Sequence, residues 1–249
     1  MIVLITGATA GFGAKMARRF IRHGHKVIAA GRRKNRLDAL ATEYGDKVLP
    51  LALDVTDKIS MQSALAGLPQ GWQDIDVLIN NAGLALGLEP AHQAALEDWE
   101  TMIDTNVKGL VTMTHHILPG MIRRGTGTII NLGSIAGTYP YPGGNIYGAT
   151  KAFVEQFTLN LRADLVGTGV RATNLAPGLC GGTEFSSVRF RGDADAAAKV
   201  YEGTTPLTAE DIAETVYWIA TLPPHVNINH IEMMPTCQGF GPLNIKRAQ

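Results

Sequence analysis

Tyr147 and Lys151 stand four residues apart at the start of a run with helical periodicity. That spacing puts a phenol and an ammonium on one helical face, within reach of each other or of a shared ligand. A phenol titrates near ~10 and is a poor acid–base group at neutral pH, but a neighbouring positive charge stabilises the phenolate and lowers that value. The chemistry such a pair serves is proton transfer at a substrate oxygen. A tyrosine and a lysine at this spacing are common in helices, so the rest of the chain must decide what they mean.

Near the N-terminus, Thr6-Gly7-Ala8-Thr9-Ala10-Gly11-Phe12-Gly13 follows a short apolar run and opens a helical pattern. Positions without side chains let the backbone turn sharply and approach a pyrophosphate, while the helix start offers free N–H groups and partial positive charge. A dinucleotide is the natural occupant, although the spacing of Gly7, Gly11 and Gly13 is not that of the general G-x-G-x-x-G fingerprint. The second apolar run ends Ala30-Gly31-Arg32-Arg33, where an acid would accept bonds from ribose hydroxyls and repel a 2′-phosphate. Two guanidiniums there can grip that phosphate and favour NADP(H) over NAD(H), or can simply solvate a loop before a basic helix. Asp54, after the third run, can meet the adenine amino group or cap the next helix.

The elements that must position these groups alternate. Short β-branched runs at Ile2 to Thr6, Lys26 to Ala30, Val48 to Leu53, Asp76 to Asn80, Thr128 to Leu132 and Val170 to Leu175 read as strands. Gly13 to His23, Lys34 to Tyr44, Leu96 to Leu118, Tyr147 to Val166 and Ala209 to Thr221 read as helices, the last opened by a Thr208–Asp211 capping box. Strands that are continuously apolar predict an α/β chain with a central parallel sheet covered by helices on both faces. The helix from Tyr147 carries Phe153, Val154, Phe157, Leu159, Leu161 and Leu165 around most of its circumference, leaving a polar stripe of Lys151, Glu155, Thr158 and Arg162. Such a helix must be covered by its sheet and by another subunit. Cys180 to Pro206 lacks periodicity and is too long for an ordinary connection, so it is a lid with short helices or is disordered.

Taken together, Thr6-Gly7-x-x-x-Gly11-x-Gly13, Asn80-Asn81-Ala82-Gly83, Asn106, Ser134, Tyr147-x-x-x-Lys151 and Pro177-Gly178 resemble, in order and spacing, the short-chain dehydrogenase/reductase family over almost the whole chain. The resemblance implies a doubly wound Rossmann fold, a single domain over residues 1–249 with a substrate lid at about 180–206, and a homotetramer formed through the Tyr147 helix and its neighbours. It implies a catalytic set in which Tyr147 is the acid–base and Ser134 bonds the substrate oxygen. Lys151 would lower the tyrosine pKa and bind the nicotinamide ribose, and Asn106 would hold a water in a proton relay. NADP(H) would be held by the loop at Gly7, Thr9, Gly11, Phe12 and Gly13, by Arg32 and Arg33, and by Asp54 and Val55. Asn81, Ala82 and Gly83 would lie beside it, with Tyr147 and Lys151 at the ribose and Pro177, Gly178 and Thr183 around the nicotinamide.

The stretch Gly181 to Asp193, with Gly31-Arg32-Arg33, Glu89 to His92, Asn145 to Gly148 and Val226 to Asn229, resembles one branch of that family, the NADP-dependent 3-hydroxy acid dehydrogenases that also oxidise serine and allo-threonine. A small carboxylate substrate offers little apolar area and needs a fixed cation. Arg189 and Arg191 are the candidates, beside Ser134 and Asn145 as further substrate contacts, unless the arginines only pair with Glu184, Asp193 or Asp195. A general NADPH-dependent carbonyl reductase is the alternative, and a nucleotide-sensing protein without activity a more distant one.

Composition excludes other classes. With 249 residues, 45% apolar and 18% charged, the chain can bury a sizeable core and is not a disordered tail. Lys+Arg and Asp+Glu balance at 22 each, so no net field draws it to nucleic acid or to an anionic membrane. No apolar run reaches the ~18 residues of a membrane span and no signal peptide is legible, and two cysteines without metal spacing fit the cytoplasm. No metal is expected, since His92, His115 and His116 lack an accompanying carboxylate at ligand spacing. Cys180 is read as an inert buried thiol, and Trp72, Trp99 and Trp218 as core.

Overall fold

Along the first strand, β1 (Ile2–Thr6), Val3 and Ile5 are buried on one side and Leu4 on the other, so both faces of the sheet need cover. The computed structural model describes residues 1–240; the domain expected over 1–249 runs beyond them, and residues 241–249 lie outside the described part. The cover on one face comes from α1 (Gly11–Arg22), α2 (Lys34–Tyr44) and α9 (Ala209–Thr221), with Met16, Phe20, Leu37, Ile212 and Val216 all buried. On the other face lie α3 (Lys58–Ala66), α5 (Leu110–Arg124) and α6 (Asn145–Asp164), which bury Met61, Met113, Ile117, Met121 and Leu161.

The remaining strands are β2 (Lys26–Gly31), β3 (Val48–Ala52), β4 (Val77–Asn80), β5 (Gly127–Leu132), β6 (Val170–Pro177) and β7 (His230–Met233). Seven strands form one sheet in the order β3-β2-β1-β4-β5-β6-β7, and every neighbouring pair is parallel. The doubly wound α/β reading holds. Strand order reverses between β1 and β4, so the loops after these two strands diverge and leave a crevice at their carboxyl ends.

Departures from the sequence reading have local causes. The helix expected over Leu96 to Leu118 is instead α4 (Leu96–Ile103), a π-helical turn (Asp104–Gly109) and α5, which runs through Pro119 to a left-handed Gly125. α3 was not legible because its apolar pattern is weak; Asp57 caps it by accepting from Ile59 N and Ser60 N. Asp54 therefore does not cap a helix but closes a turn, accepting from the N–H and hydroxyl of Thr56. β7, only four residues long, also escaped the sequence reading. The Thr208–Asp211 capping box is present in both of its bonds. Residues 180–206 carry α7 (Phe185–Arg189) and α8 (Ala194–Lys199).

Two readings of side-chain placement need correction. Trp218 is half exposed rather than core, while Trp72 and Trp99 pack partly buried against the apolar clusters. On α6, the stripe read as polar divides: Lys151 and Thr158 point inward and are buried, whereas the apolar Phe153 and Leu159 face outward.

Polar pairing explains Thr158. Asn80 and Asn131 are register partners on β4 and β5, and the Asn80 amide donates to Asn131 Oδ1 at 2.8 Å and to Thr114 Oγ1 at 2.9 Å. The Asn131 amide donates to Thr158 Oγ1 at 2.8 Å, and that hydroxyl donates to Val154 O. Sheet and helix are thus joined by a linear chain of bonds in a fully buried place, with Asn80 Oδ1 left without a partner. Asn131→Ala is expected to cost about 2–3 kcal/mol, because it strands the donor of Asn80 and leaves a small void. Urea unfolding measures this, and a loss below ~0.5 kcal/mol would show the chain of bonds to be dispensable.

Candidate active site

The loop between β1 and α1 owes its shape to three glycines. Gly7 and Gly11 have φ of +69° and +49°, the left-handed region. Gly13 lies behind the loop rather than on the cavity wall, with its Cα against Gly7 O, so a side chain there would push α1 off the strand. Ala10, the N-cap of α1, supplies no side-chain cap and the first turn holds no acid, so the first N–H groups of α1 are left for a ligand.

This loop forms one wall of a cavity of about 350 Å³ that follows the crevice. Thr9, Arg32, Arg33 and Asp54 lie at one end, with Val55 beside them. Phe12, Asn81, Ala82, Gly83 and Thr183 line its middle, and Tyr147 and Lys151 close the other end. The side chains fit a dinucleotide: cations at one end, a glycine-built anion cradle at the centre, and an acid–base pair at the far end. Asn81 supports the cradle by donating from its amide to Thr6 O and Gly7 O. Gly31 is a glycine because Thr9 packs on it; a Cβ there would stand 2.8 Å from Thr9 Cγ2. Pro177 and Gly178 end β6 next to β7, where Gly178 N donates to Met233 O, and neither lies on the cavity wall.

Tyr147 and Lys151 enter on the first turns of α6, and both are buried. Lys151 Nζ donates to Leu132 O at 2.7 Å and stands 5.8 Å from the centre of the Tyr147 ring. Loss of hydration lowers the lysine to about 8, which still leaves it protonated at neutral pH. Burial pushes the Tyr147 phenol up to about 12. A hydrogen bond with Ser134 and the charge of Arg189 draw it back without offsetting burial. With these side chains alone, desolvation outweighs the lowering that neighbouring positive charge brings. Ser134 itself is oriented by Ala136 N, which donates to its Oγ at 3.1 Å.

Asn106 sits in the π turn, buried, with its amide donating to Leu84 O and Thr150 Oγ1 and its Oδ1 accepting from Leu84 N. One lone pair of Oδ1 remains for a relay. Asn145, at the start of α6, donates from its amide to Glu89 O at 3.2 Å and so ties this helix to the loop after β4.

The two arginines after β6 part company. Arg189 lies between two phenol rings, 5.4 Å from the centre of Tyr141 and 5.7 Å from that of Tyr147. Its Nε donates to Gly87 O and its Nη2 to Tyr141 Oη at 2.8 Å, and among the described residues no acceptor takes Nη1. Arg191 adopts a left-handed φ of +53° and pairs with Asp98 on α4, on the surface and away from Tyr147. Neither pairs with Glu184, Asp193 or Asp195: Asp193 caps α8, and Glu184 bridges Arg33 and Arg36. Arg36, Tyr141, Glu184 and Phe185 are the site residues that sequence reasoning missed. Arg36 was within reach, since it follows Arg33 by three on a helix and so shares its face; the others depend on how residues 180–206 fold back. Cys180 is partly buried, and burial pushes its thiol up to about 12, as befits an unreactive group. Among the described residues no group of three His, Cys, Asp or Glu side chains could hold a metal, and no helix is long and apolar enough to cross a membrane.

Comparison with known proteins places this geometry. A family model described as short chain dehydrogenase matches residues 1–193. The chain is 64% identical over 248 residues to the NADP-dependent 3-hydroxy acid dehydrogenase YdfG of Salmonella typhi, covering 100% of both proteins. It is 54% identical over 245 residues to the serine 3-dehydrogenase of Agrobacterium fabrum, with 98% of each covered. Among solved structures it is similar to the closed form of serine dehydrogenase complexed with NADP+, with a TM-score of 0.98, 61% identity and 100% of both chains covered. Serine dehydrogenase from Escherichia coli gives a TM-score of 0.86 at 56% identity, over 96% of this chain and 100% of that one.

The buried lysine has a signature in the stability of the protein itself. Its folded pKa of about 8 lies below the ordinary 10.5, so between these values the unfolded chain binds the extra proton and stability rises with pH. Tyr147 acts in the opposite sense from 10 to about 12, where the folded state holds the proton and stability falls. Relative to Lys151→Met, the wild type is expected to gain stability as pH rises from 8 towards 10.5, read by chemical denaturation at stepped pH. Parallel profiles for the two proteins would mean that Lys151 is not desolvated as described.

Proposed function

This chain belongs to the short chain dehydrogenase family, and on that premise we propose that it is an NADP-dependent oxidoreductase of small 3-hydroxy acids, 3-hydroxy amino acids such as serine or allo-threonine among them. It interconverts these with the corresponding 3-oxo acids or semialdehydes by hydride transfer. The observation that carries the substrate class is Arg189, a guanidinium held beside the Tyr147 ring with one nitrogen left for a ligand. A carboxylate one carbon removed from the reacting carbon is the group that nitrogen suits.

Arg32, Arg33 and Thr9 hold the 2′-phosphate, the Gly7 loop and the start of α1 the pyrophosphate, and Asp54 and Val55 the adenine end. Asn81, Ala82 and Gly83 flank the middle of the cofactor, Lys151 takes the nicotinamide ribose, and Thr183 the carboxamide or a phosphate, with Pro177 and Gly178 shaping the turn behind. When bound, NADP(H) supplies the hydride acceptor or donor and, when oxidised, a positive ring. Tyr147 Oη carries the proton, giving it to the carbonyl oxygen in reduction and taking it from the hydroxyl in oxidation. A phenol that burial keeps protonated is ready for the first of these. Ser134 fixes the substrate oxygen against Tyr147, Lys151 holds positive charge beside the phenol, and Asn106 links Lys151 to a water-borne relay. Residues 180–206 act as a lid that excludes water. The outward Phe153 and Leu159 of α6 support a homotetramer built through that helix, and the balanced charge and the two free cysteines support a cytoplasmic protein without nucleic-acid partners.

Tyr147→Phe is expected to abolish nearly all turnover while leaving NADPH binding within about twofold, because it removes the proton and keeps the ring. Steady-state rates and fluorescence titration measure the two, and retained turnover would move the acid–base role elsewhere. Arg189→Met is expected to lower kcat/KM by about 100-fold on 3-hydroxy acids and 3-hydroxy amino acids, yet by less than about threefold on a neutral hydroxy compound of similar size. Equal losses on both would leave a general NADPH-dependent carbonyl reductase as the reading.

A further inference from the structure

The lid segment reaches back to the adenosine end of the cavity through one side chain. Glu184, just before α7, places Oε2 2.6 Å from Arg33 Nη1 and Oε1 2.8 Å from Arg36 Nη1, joining positions 151 and 148 residues away. Arg33 is held at the same time by Thr9, whose hydroxyl accepts from Nε at 3.1 Å and from Nη2 at 3.0 Å. Arg36 Nη1 also donates to Thr9 O. One carboxylate therefore spends both oxygens on two guanidiniums, one of which, Arg33, the proposed reading assigns to a 2′-phosphate. We propose, resting on that reading, that Glu184 sets how strongly the protein distinguishes nucleotides with and without a 2′-phosphate, by holding its own negative charge on the cations that the phosphate must use.

Charge counting gives the direction. Arg32, Arg33 and Arg36 bring three positive charges to this end, Glu184 brings one negative charge, and a 2′-phosphate brings up to two. Glu184 engages both guanidiniums in the absence of a nucleotide, and Arg33 and Arg36 hold its carboxyl below the ordinary range. A phosphate that arrives on Arg33 meets a neighbouring anion, and like charges on shared cations weaken each other's binding. A nucleotide whose ribose carries a free 2′-hydroxyl brings no charge there and meets no such opposition. The coupling is reciprocal, so the phosphate loosens the grip of Glu184 on Arg33 and Arg36, and with it the hold of residues 180–206 on α2. All three side chains are about half exposed, so salt screens the effect and its size is modest.

The test uses 2′,5′-ADP and 5′-ADP as probes, titrated calorimetrically into the wild type and Glu184→Gln, with NADPH and NADH followed by fluorescence. Glu184→Gln is expected to tighten 2′,5′-ADP and NADPH by about three- to tenfold, to leave 5′-ADP and NADH within about twofold, and to lose most of that gain in about 0.5 M salt. Unchanged or weakened binding of 2′,5′-ADP by a variant with the wild-type melting temperature would overturn the proposal, as would a gain that salt does not reduce. The two readings fail separately. A wild type that binds 2′,5′-ADP no more tightly than 5′-ADP removes the NADP assignment, whereas a wild type that prefers 2′,5′-ADP beside an unmoved Glu184→Gln removes only the role of Glu184.

Discussion

The bond from Lys151 Nζ to Leu132 O is the constraint on which the site depends. It joins the first turns of α6 to the end of β5, and two turns further along Thr158 meets Asn131 of the same strand. Residues seven apart lie on one face of a helix, so these two tethers fix both the position of α6 along the strand and its rotation about its own axis. The rotation is what aims Tyr147 into the cavity. An ammonium buried against a single carbonyl is costly, and the site retains it where a leucine would pack at lower cost. The geometry of the candidate site is thus held by polar groups that the sheet would be easier to fold without.

The segment after β6 is the second organising element, because it contacts three separate parts of the molecule. Glu184 reaches the start of α2, Arg189 reaches Gly87 in the loop after β4, and Arg191 reaches Asp98 on α4. Gly87 and Arg189 also pair through their backbones, Gly87 N donating to Arg189 O at 3.1 Å. The same short stretch therefore touches the end of the cavity lined by guanidiniums and the end lined by phenols.

Most of the fold was legible because its signal is local. Six short strand-like runs, several of them continuously apolar, and the glycine loop define a parallel sheet with a ligand crevice, and Thr208 with Asp211 marks a helix start without help from the rest of the chain. What sequence periodicity does not carry is a change of helical period or a short, half-buried edge strand of mixed polarity. Asp104–Gly109 and His230–Met233 were missed for those reasons. In the site, residues that act from their own element were readable: Tyr147, Lys151, Ser134 and the loop at Gly7. Arg189 and Arg191 were indistinguishable on paper, two residues apart and alike in chemistry. Only the left-handed turn at Arg191 sends one to the phenols and the other to Asp98.

The π turn at Asp104–Gly109 has a consequence for how this chain tolerates change. One surplus residue in a helix offsets everything after it by about 100° around the axis. Here the wider turn absorbs that offset, so Met102 faces the Tyr147 cluster while Met113, Ile117 and Met121 still face the sheet, with Asn106 turned onto Leu84 between them. Removing one residue within Asp104–Gly109 would leave a regular helix whose two halves keep these facings but lose the turn that sets Asn106 on Leu84, whereas a deletion in α4 or α5 outside the turn would swing one half about 100° against its partner. Substitution on the outer surface of this stretch is cheap, whereas deletion of one residue is not.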